Sequence, residues 1–124
     1  MRPVIVVVGT RPEGVKMMPI YLALQKANIP TILCATSQHD TLLADIFSVF
    51  GVTPDIDLKI MKHGQNLFHI TTTILQEMQH IFTKYFPSLV LVQGDTTTAM
   101  ATGLAAFYSR IPIGHIEAGL RTGD

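Results

Sequence analysis

Val4-Ile5-Val6-Val7-Val8-Gly9-Thr10-Arg11-Pro12-Glu13-Gly14-Val15-Lys16 is the stretch that decides the fold of this 124-residue chain. Its first five residues are apolar and mostly β-branched, the pattern of a strand buried on both faces. The run empties into Gly9. Thr10 followed three positions later by Glu13 forms a capping box, and Pro12 suits the first turn of the helix that box opens. A helix N-terminus presents free N–H groups and a positive dipole end, so the turn suits an anionic ligand. It is not a nucleotide phosphate loop, which needs Lys directly after Gly and then Ser or Thr to hold magnesium. Here Val15 separates Gly14 from Lys16, and Met17 replaces the hydroxyl. Nor is it Gly-x-Gly-x-x-Gly. The stretch reads as an anion-binding turn that needs no metal.

Outward from this unit, strand-like and helical patterns alternate. The first helix is predicted to about Ala27, with Pro19 as a kink. A second strand follows over residues 31–35. Leu43, Ile46, Phe47 and Phe50 mark a second helix that Gly51 is placed to end. Residues 56–59 form a weaker strand. Leu67, Ile70, Ile74, Met78, Ile81 and Tyr85 recur at intervals of three and four, the strongest helical pattern in the chain, which stops at Pro87. Residues 89–92 make a fourth strand. Met100, Gly103, Leu104 and Phe107 mark a helix able to pack close to a sheet, and residues 111–116 make the last strand. The alternation predicts an α/β fold, a doubly wound, Rossmann-like parallel sheet with right-handed crossovers. In the usual order the first strand lies beside the fourth, and ligands bind beyond the carboxyl ends of the strands where the winding reverses.

Composition narrows the function. Lys and Arg number 9 against 9 Asp and Glu, with no basic stripe of the kind that marks a nucleic-acid binder. No apolar run approaches the roughly 20 residues that span a bilayer, and the N-terminus lacks the features of a secretory leader. Cys34 is the single cysteine, so no intrachain disulfide forms. The chain reads as a cytoplasmic protein.

The switch-point argument gathers three loops: Gly9 to Lys16, Gln93 to Thr98, and His115 to Arg121. Two cations, Arg11 and Lys16, thereby face two carboxylates, Asp95 and Glu117, a set fit for acid–base work. Each residue has a plainer reading. Asp95, before three threonines, would serve as a helix cap. Glu13 is chiefly a capping partner. Arg11 and Lys16 would serve equally as solvated loop charges. Glu117, ending an apolar strand before Ala118-Gly119, favours a site. His39 and Asp40 follow the second strand within reach of a ligand. His115 is expected on the other side of its strand from Glu117. The histidines lack zinc-ligand spacing, the serines lack a nucleophile-elbow context, and Cys34 belongs to the core.

Gly9-Thr10-Arg11-Pro12-Glu13 with Lys16, Gln38-His39, Gly94-Asp95-Thr96-Thr97-Thr98, and the run from His115 through Glu117 and Arg121 to Asp124 together resemble the non-hydrolysing UDP-N-acetylglucosamine 2-epimerases, in order along essentially the whole chain. Gly14 and Gln93 stand where family members often differ. The resemblance implies residues 1–124 as the N-terminal, Rossmann-like half of a glycosyltransferase-B-like (GT-B-like) architecture, with substrate in the cleft beside a second domain absent from this chain. It implies interconversion of UDP-N-acetylglucosamine and UDP-N-acetylmannosamine through a 2-acetamidoglucal, without cofactor or metal. Asp95 and Glu117 become acid–base groups and substrate contacts; Arg11 and Lys16 become substrate-contacting cations, Lys16 also ordering the carboxylates. A further acidic site residue and a nucleotide-binding histidine of the family would lie past Asp124, so the isolated chain is expected to be weakly active or inactive. A homo-oligomer is expected, since uncovered apolar surface favours association. Three rival readings remain open: a hydrolysing relative, a glycosyltransferase of the same fold, and a non-catalytic nucleotide-sugar-binding or interaction module.

Overall fold

The computed structural model describes residues 1–37, 41–60 and 66–117. Strands β1 (Val4–Val8), β2 (Thr31–Ser37), β3 (Ile56–Ile60), β4 (Leu89–Gln93) and β5 (Ile113–Ile116) alternate with helices α1 (Arg11–Lys26), α2 (Thr41–Val49), α3 (Leu67–Tyr85) and α4 (Thr97–Tyr108). All strand pairings are parallel, in the order β3-β2-β1-β4-β5. The winding reverses between β1 and β4, as predicted.

Side-chain alternation along β1 explains its central place. Val4, Val6 and Val8 pack with Leu33 and Leu91 against Met17, Met18 and Tyr21 of α1 and Leu43 and Phe47 of α2. Ile5 and Val7 point the other way, into a core completed by α3 and α4. Every β1 side chain is buried. Full burial of one such side chain favours folding by about 1.5–3 kcal/mol, which no one-sided position on the sheet would achieve.

The helices follow their local chemistry. Helix α1 starts at the predicted capping box, with Thr10 as N-cap, and runs without interruption through Pro19, whose ring faces solvent. Helix α3 is capped by Asn66, whose side chain accepts from the His69 amide at 2.8 Å. It ends where Phe86 turns left-handed, φ 50°. Ile70, Ile74, Met78 and Ile81 form its buried stripe, while Leu67 at the first turn stays exposed.

Two sequence expectations are corrected. The buried face of α4 is not Met100–Leu104–Phe107. It is Thr98, Ala99, Ala101, Thr102, Ala105 and Ala106. Met100 is 61% and Phe107 74% exposed. Small side chains let the helix axis approach the sheet and its neighbour α3, so the large ones are left outward. The last strand begins at Ile113 rather than Ile111, because the Ile111 amide is spent on the Ala106 carbonyl, closing α4, and Pro112 has no N–H for the ladder.

Candidate functional site

Three loops meet above the β1–β4 reversal. At the end of β1, Gly9 is required for space. A Cβ there would sit 2.5 Å from Thr98 Oγ1 and 2.6 Å from Thr36 Oγ1, two hydroxyls themselves 3.2 Å apart and hydrogen-bonded. The backbone of β1 thus passes directly beneath the first turn of α4.

The turn that follows is not a vacant anion cradle. Glu13 reaches back so that its Oε1 accepts from the Gly9 amide at 2.6 Å and the Thr10 amide at 3.1 Å. The Glu13 amide in turn meets Thr10 Oγ1 at 3.5 Å. Its other carboxylate oxygen, Oε2, accepts from the hydroxyl of Thr96, 83 residues away. Glu13 thus places a carboxylate of its own within the turn, and its residue is only 2% exposed.

The loop after β4 resolves the ambiguity over Asp95. Thr96, not Asp95, is the N-cap of α4, its side chain accepting from the Ala99 amide at 3.2 Å. Asp95 is therefore released from capping and stands exposed. Gly94 before it takes φ +75°, a left-handed conformation glycine adopts at no steric cost. The Gly94 amide donates to the Ile116 carbonyl at 3.1 Å, tying this loop to the end of β5.

At that end His115 and Glu117 share one side, contrary to the expectation that they face apart. Residues two apart on a strand project alike. His115 Nε2 donates to the Gly94 carbonyl oxygen, and its Nδ1 lies 3.5 Å from Glu117 Oε2.

These loops enclose an open hollow of about 470 Å³, lined by Lys16, Gln93, Asp95, Thr96, His115 and Glu117 among others. Three of the four charged residues singled out from sequence, Lys16, Asp95 and Glu117, thus border one space. Arg11, exposed on the first residue of α1, does not line it. Gln38, His39 and Asp40, His63, and the run from Ala118 through Arg121 to Asp124 lie outside the described residues. Sequence reasoning missed Thr96, Gln93 and His115 as lining groups; the even spacing of His115 and Glu117 was the pattern that would have found the last. Among the described residues no three His, Cys, Asp or Glu side chains cluster as a metal site, and no helix is long and apolar enough to cross a membrane.

A five-stranded parallel sheet whose winding reverses between β1 and β4, with an open hollow at that point, defines a Rossmann-like α/β domain. The chain belongs to the UDP-N-acetylglucosamine 2-epimerase family, whose model matches residues 22–124. It is 51% identical over 122 residues to the UDP-N-acetylglucosamine 2-epimerase of Salmonella typhimurium, covering 98% of this chain and 32% of that protein. The crystal structure of UDP-GlcNAc 2-epimerase from Neisseria meningitidis bound to UDP-GlcNAc superposes with a TM-score of 0.87 at 50% identity, over 97% of this chain and 33% of that one. The Methanocaldococcus jannaschii UDP-GlcNAc 2-epimerase in complex with UDP-GlcNAc and UDP gives 0.86 at 34% identity, over 98% and 34%. The chain thus spans about a third of the length of the relatives it matches.

Proposed function

We propose that this chain forms one wall of the active site of a non-hydrolysing UDP-N-acetylglucosamine 2-epimerase, as the N-terminal domain of a two-domain, glycosyltransferase-B-like enzyme. The observation that carries the reading is the convergence of Lys16, Asp95 and Glu117 on the hollow at the β1–β4 reversal. The family's relatives in complex with UDP-GlcNAc support the substrate.

The chemistry fits these side chains. A carboxylate takes the proton from carbon 2 of the sugar as the bond from carbon 1 to the UDP oxygen breaks. The electron pair of the C–H bond becomes the C1=C2 bond of 2-acetamidoglucal, and UDP leaves with the other pair. Protonation of carbon 2 from the opposite face and return of UDP to carbon 1 give UDP-N-acetylmannosamine. The sequence is redox-neutral, so it calls for no nicotinamide. Asp95 and Glu117 fill the acid–base roles, which typically contribute about 10²–10⁴-fold each. Lys16 counters the negative charge that develops on the departing UDP and orders the carboxylates. Arg11 meets the substrate's phosphates from outside the hollow. The enzyme acts in the cytoplasm, as a homo-oligomer.

The test is incubation of the complete gene product with UDP-N-acetylglucosamine in deuterated water. Deuterium at carbon 2 together with UDP-N-acetylmannosamine is the expected outcome. Free N-acetylmannosamine would instead mark a hydrolysing enzyme, and an unexchanged carbon-2 proton would refute both. The isolated 124-residue chain is expected to be weakly active or inactive, because half a cleft neither excludes water nor holds the substrate in attack geometry.

A further inference from the structure

We propose that Glu13 is a positioning residue: its buried carboxylate fastens the loop after β1 to the loop after β4 and thereby fixes Asp95 relative to Lys16. This rests on the epimerase reading for its catalytic consequence, and on the geometry alone for the coupling itself.

A capping box needs only one return contact, from the glutamate to the N-cap amide. Glu13 makes that contact, with Thr10, and two more: to the Gly9 amide and, across 83 residues, to the Thr96 hydroxyl. A carboxylate is rarely so deeply buried unless its partners are in place. Here the donors come from both sides of the sheet's reversal point, so the side chain is satisfied only when the two loops stand in register.

The consequence for Asp95 follows from its neighbours. On one side Gly94 is pinned to β5, through its amide to Ile116 and its carbonyl to His115. That link sets Asp95 relative to Glu117. On the other side Thr96 accepts from the Ala99 amide and donates its only hydroxyl proton to Glu13. That link sets Asp95 relative to α1, on which Lys16, three residues after Glu13, borders the hollow. Asp95 is exposed and caps no helix among the described residues, so these two anchors define its place. An error of about 1 Å in such a placement costs up to about 10²-fold in rate.

The test uses the complete gene product and four variants: Glu13→Gln, Thr96→Ser, Thr96→Ala and the double Glu13→Gln/Thr96→Ala. Glutamine keeps the shape but turns an amide toward either Thr96 or the Gly9 and Thr10 amides. Glu13→Gln is expected to melt cooperatively like the parent, to lose about tenfold or more in kcat, and to keep KM within about threefold. Thr96→Ser, which keeps the donor, is expected to lose clearly less kcat than Thr96→Ala, which removes it. The double variant is expected to be no slower than Thr96→Ala alone, because both changes break the same link. Parental kcat in Glu13→Gln, multiplying losses in the double variant, or equal damage from Thr96→Ser and Thr96→Ala would each overturn the proposal. If Glu13→Gln fails to fold, the comparison of Thr96→Ser with Thr96→Ala decides. If the parent itself exchanges no carbon-2 proton, the epimerase reading fails, and amide exchange decides the coupling: Glu13→Gln must speed exchange over residues 94–98 relative to the sheet, and unchanged exchange there refutes it.

Discussion

Replacing Gly9 by alanine should destabilise the protein sharply, although its backbone there is open to any residue and the added group is a single methyl. The new Cβ would lie 2.5 Å from Thr98 Oγ1, 2.6 Å from Thr36 Oγ1 and 3.2 Å from Thr98 Cβ. Both threonines are buried, at 7% and 1% exposure. Each is β-branched and held by its own element, so neither swings away freely. Forcing a methyl into a packed core typically costs about 1–3 kcal/mol, and separating the buried hydroxyl pair adds about 1 kcal/mol. A total of about 2–4 kcal/mol corresponds to a melting temperature lower by roughly 8–16 °C for a chain of this size. Urea denaturation and thermal melts of parent and variant give the number directly. The cause is checked in the Thr36→Ala/Thr98→Ala background, where both oxygens are gone and Gly9→Ala should cost less than about 1 kcal/mol. A loss under about 0.5 kcal/mol in the parent, within the range of inconsequential changes, or an undiminished loss in the threonine-free background, would refute the steric argument.

Gly103→Ala should do the reverse. Its Cβ would meet only Ile113 Cδ1 at 3.2 Å, the tip of a side chain 40% exposed and able to yield; relief of glycine's helix penalty, up to about 1 kcal/mol, then raises the denaturation midpoint. Burial, then Asp57 and Glu77, push the Cys34 thiol up to about 12 from 9.0. The folded chain keeps that proton while the unfolded chain sheds it, so the contribution is whole below the unfolded value and erodes as pH rises from there to about 12. Between about pH 8 and about pH 10.5 the parent should lose on the order of 1–2 kcal/mol more than Cys34→Ala in urea titrations, and equal losses would exclude the thiol. In the complete enzyme, Asp95→Asn and Glu117→Gln should each lower kcat by about 10²–10⁴-fold while calorimetry still detects bound UDP-N-acetylglucosamine; near-parental turnover by either would remove that residue from the acid–base pair.

The fold was legible wherever one local feature had one physical solution. Five apolar residues without alternation, Val4 to Val8, can be satisfied only between two helical layers, and α3 announced itself through five turns of regular spacing. Helix α4 misled because its periodicity supports two faces. Met100, Leu104 and Phe107 look like a core stripe by hydrophobicity, yet the alanines and threonines win because closeness to the sheet, not side-chain size, is what the position rewards. The site was legible at the level of loops: the strand order brought Lys16, Asp95 and Glu117 together as expected. It was illegible at the level of hydrogen bonds. In Asp95-Thr96-Thr97-Thr98 any of the four side chains can cap a helix, and only the backbone path decides for Thr96. Glu13 was read as a cap from its spacing to Thr10; its bond to Thr96 depends on a neighbour that no local window contains.

The division of charge in the hollow follows from that one carboxylate. In nucleotide-binding loops the helix N-terminus is left open so that a ligand phosphate completes it. Here Glu13 ties the turn that opens α1 to the loop after β4, through the Gly9 and Thr10 amides and the Thr96 hydroxyl. The side chains that line the hollow carry two exposed carboxylates, one lysine and a histidine. Such a lining attracts a diphosphate less than an open phosphate loop would. It supplies instead what proton transfer needs: more than one group able to give or take a proton, a cation to set against them, and loops tied so that their spacing does not drift.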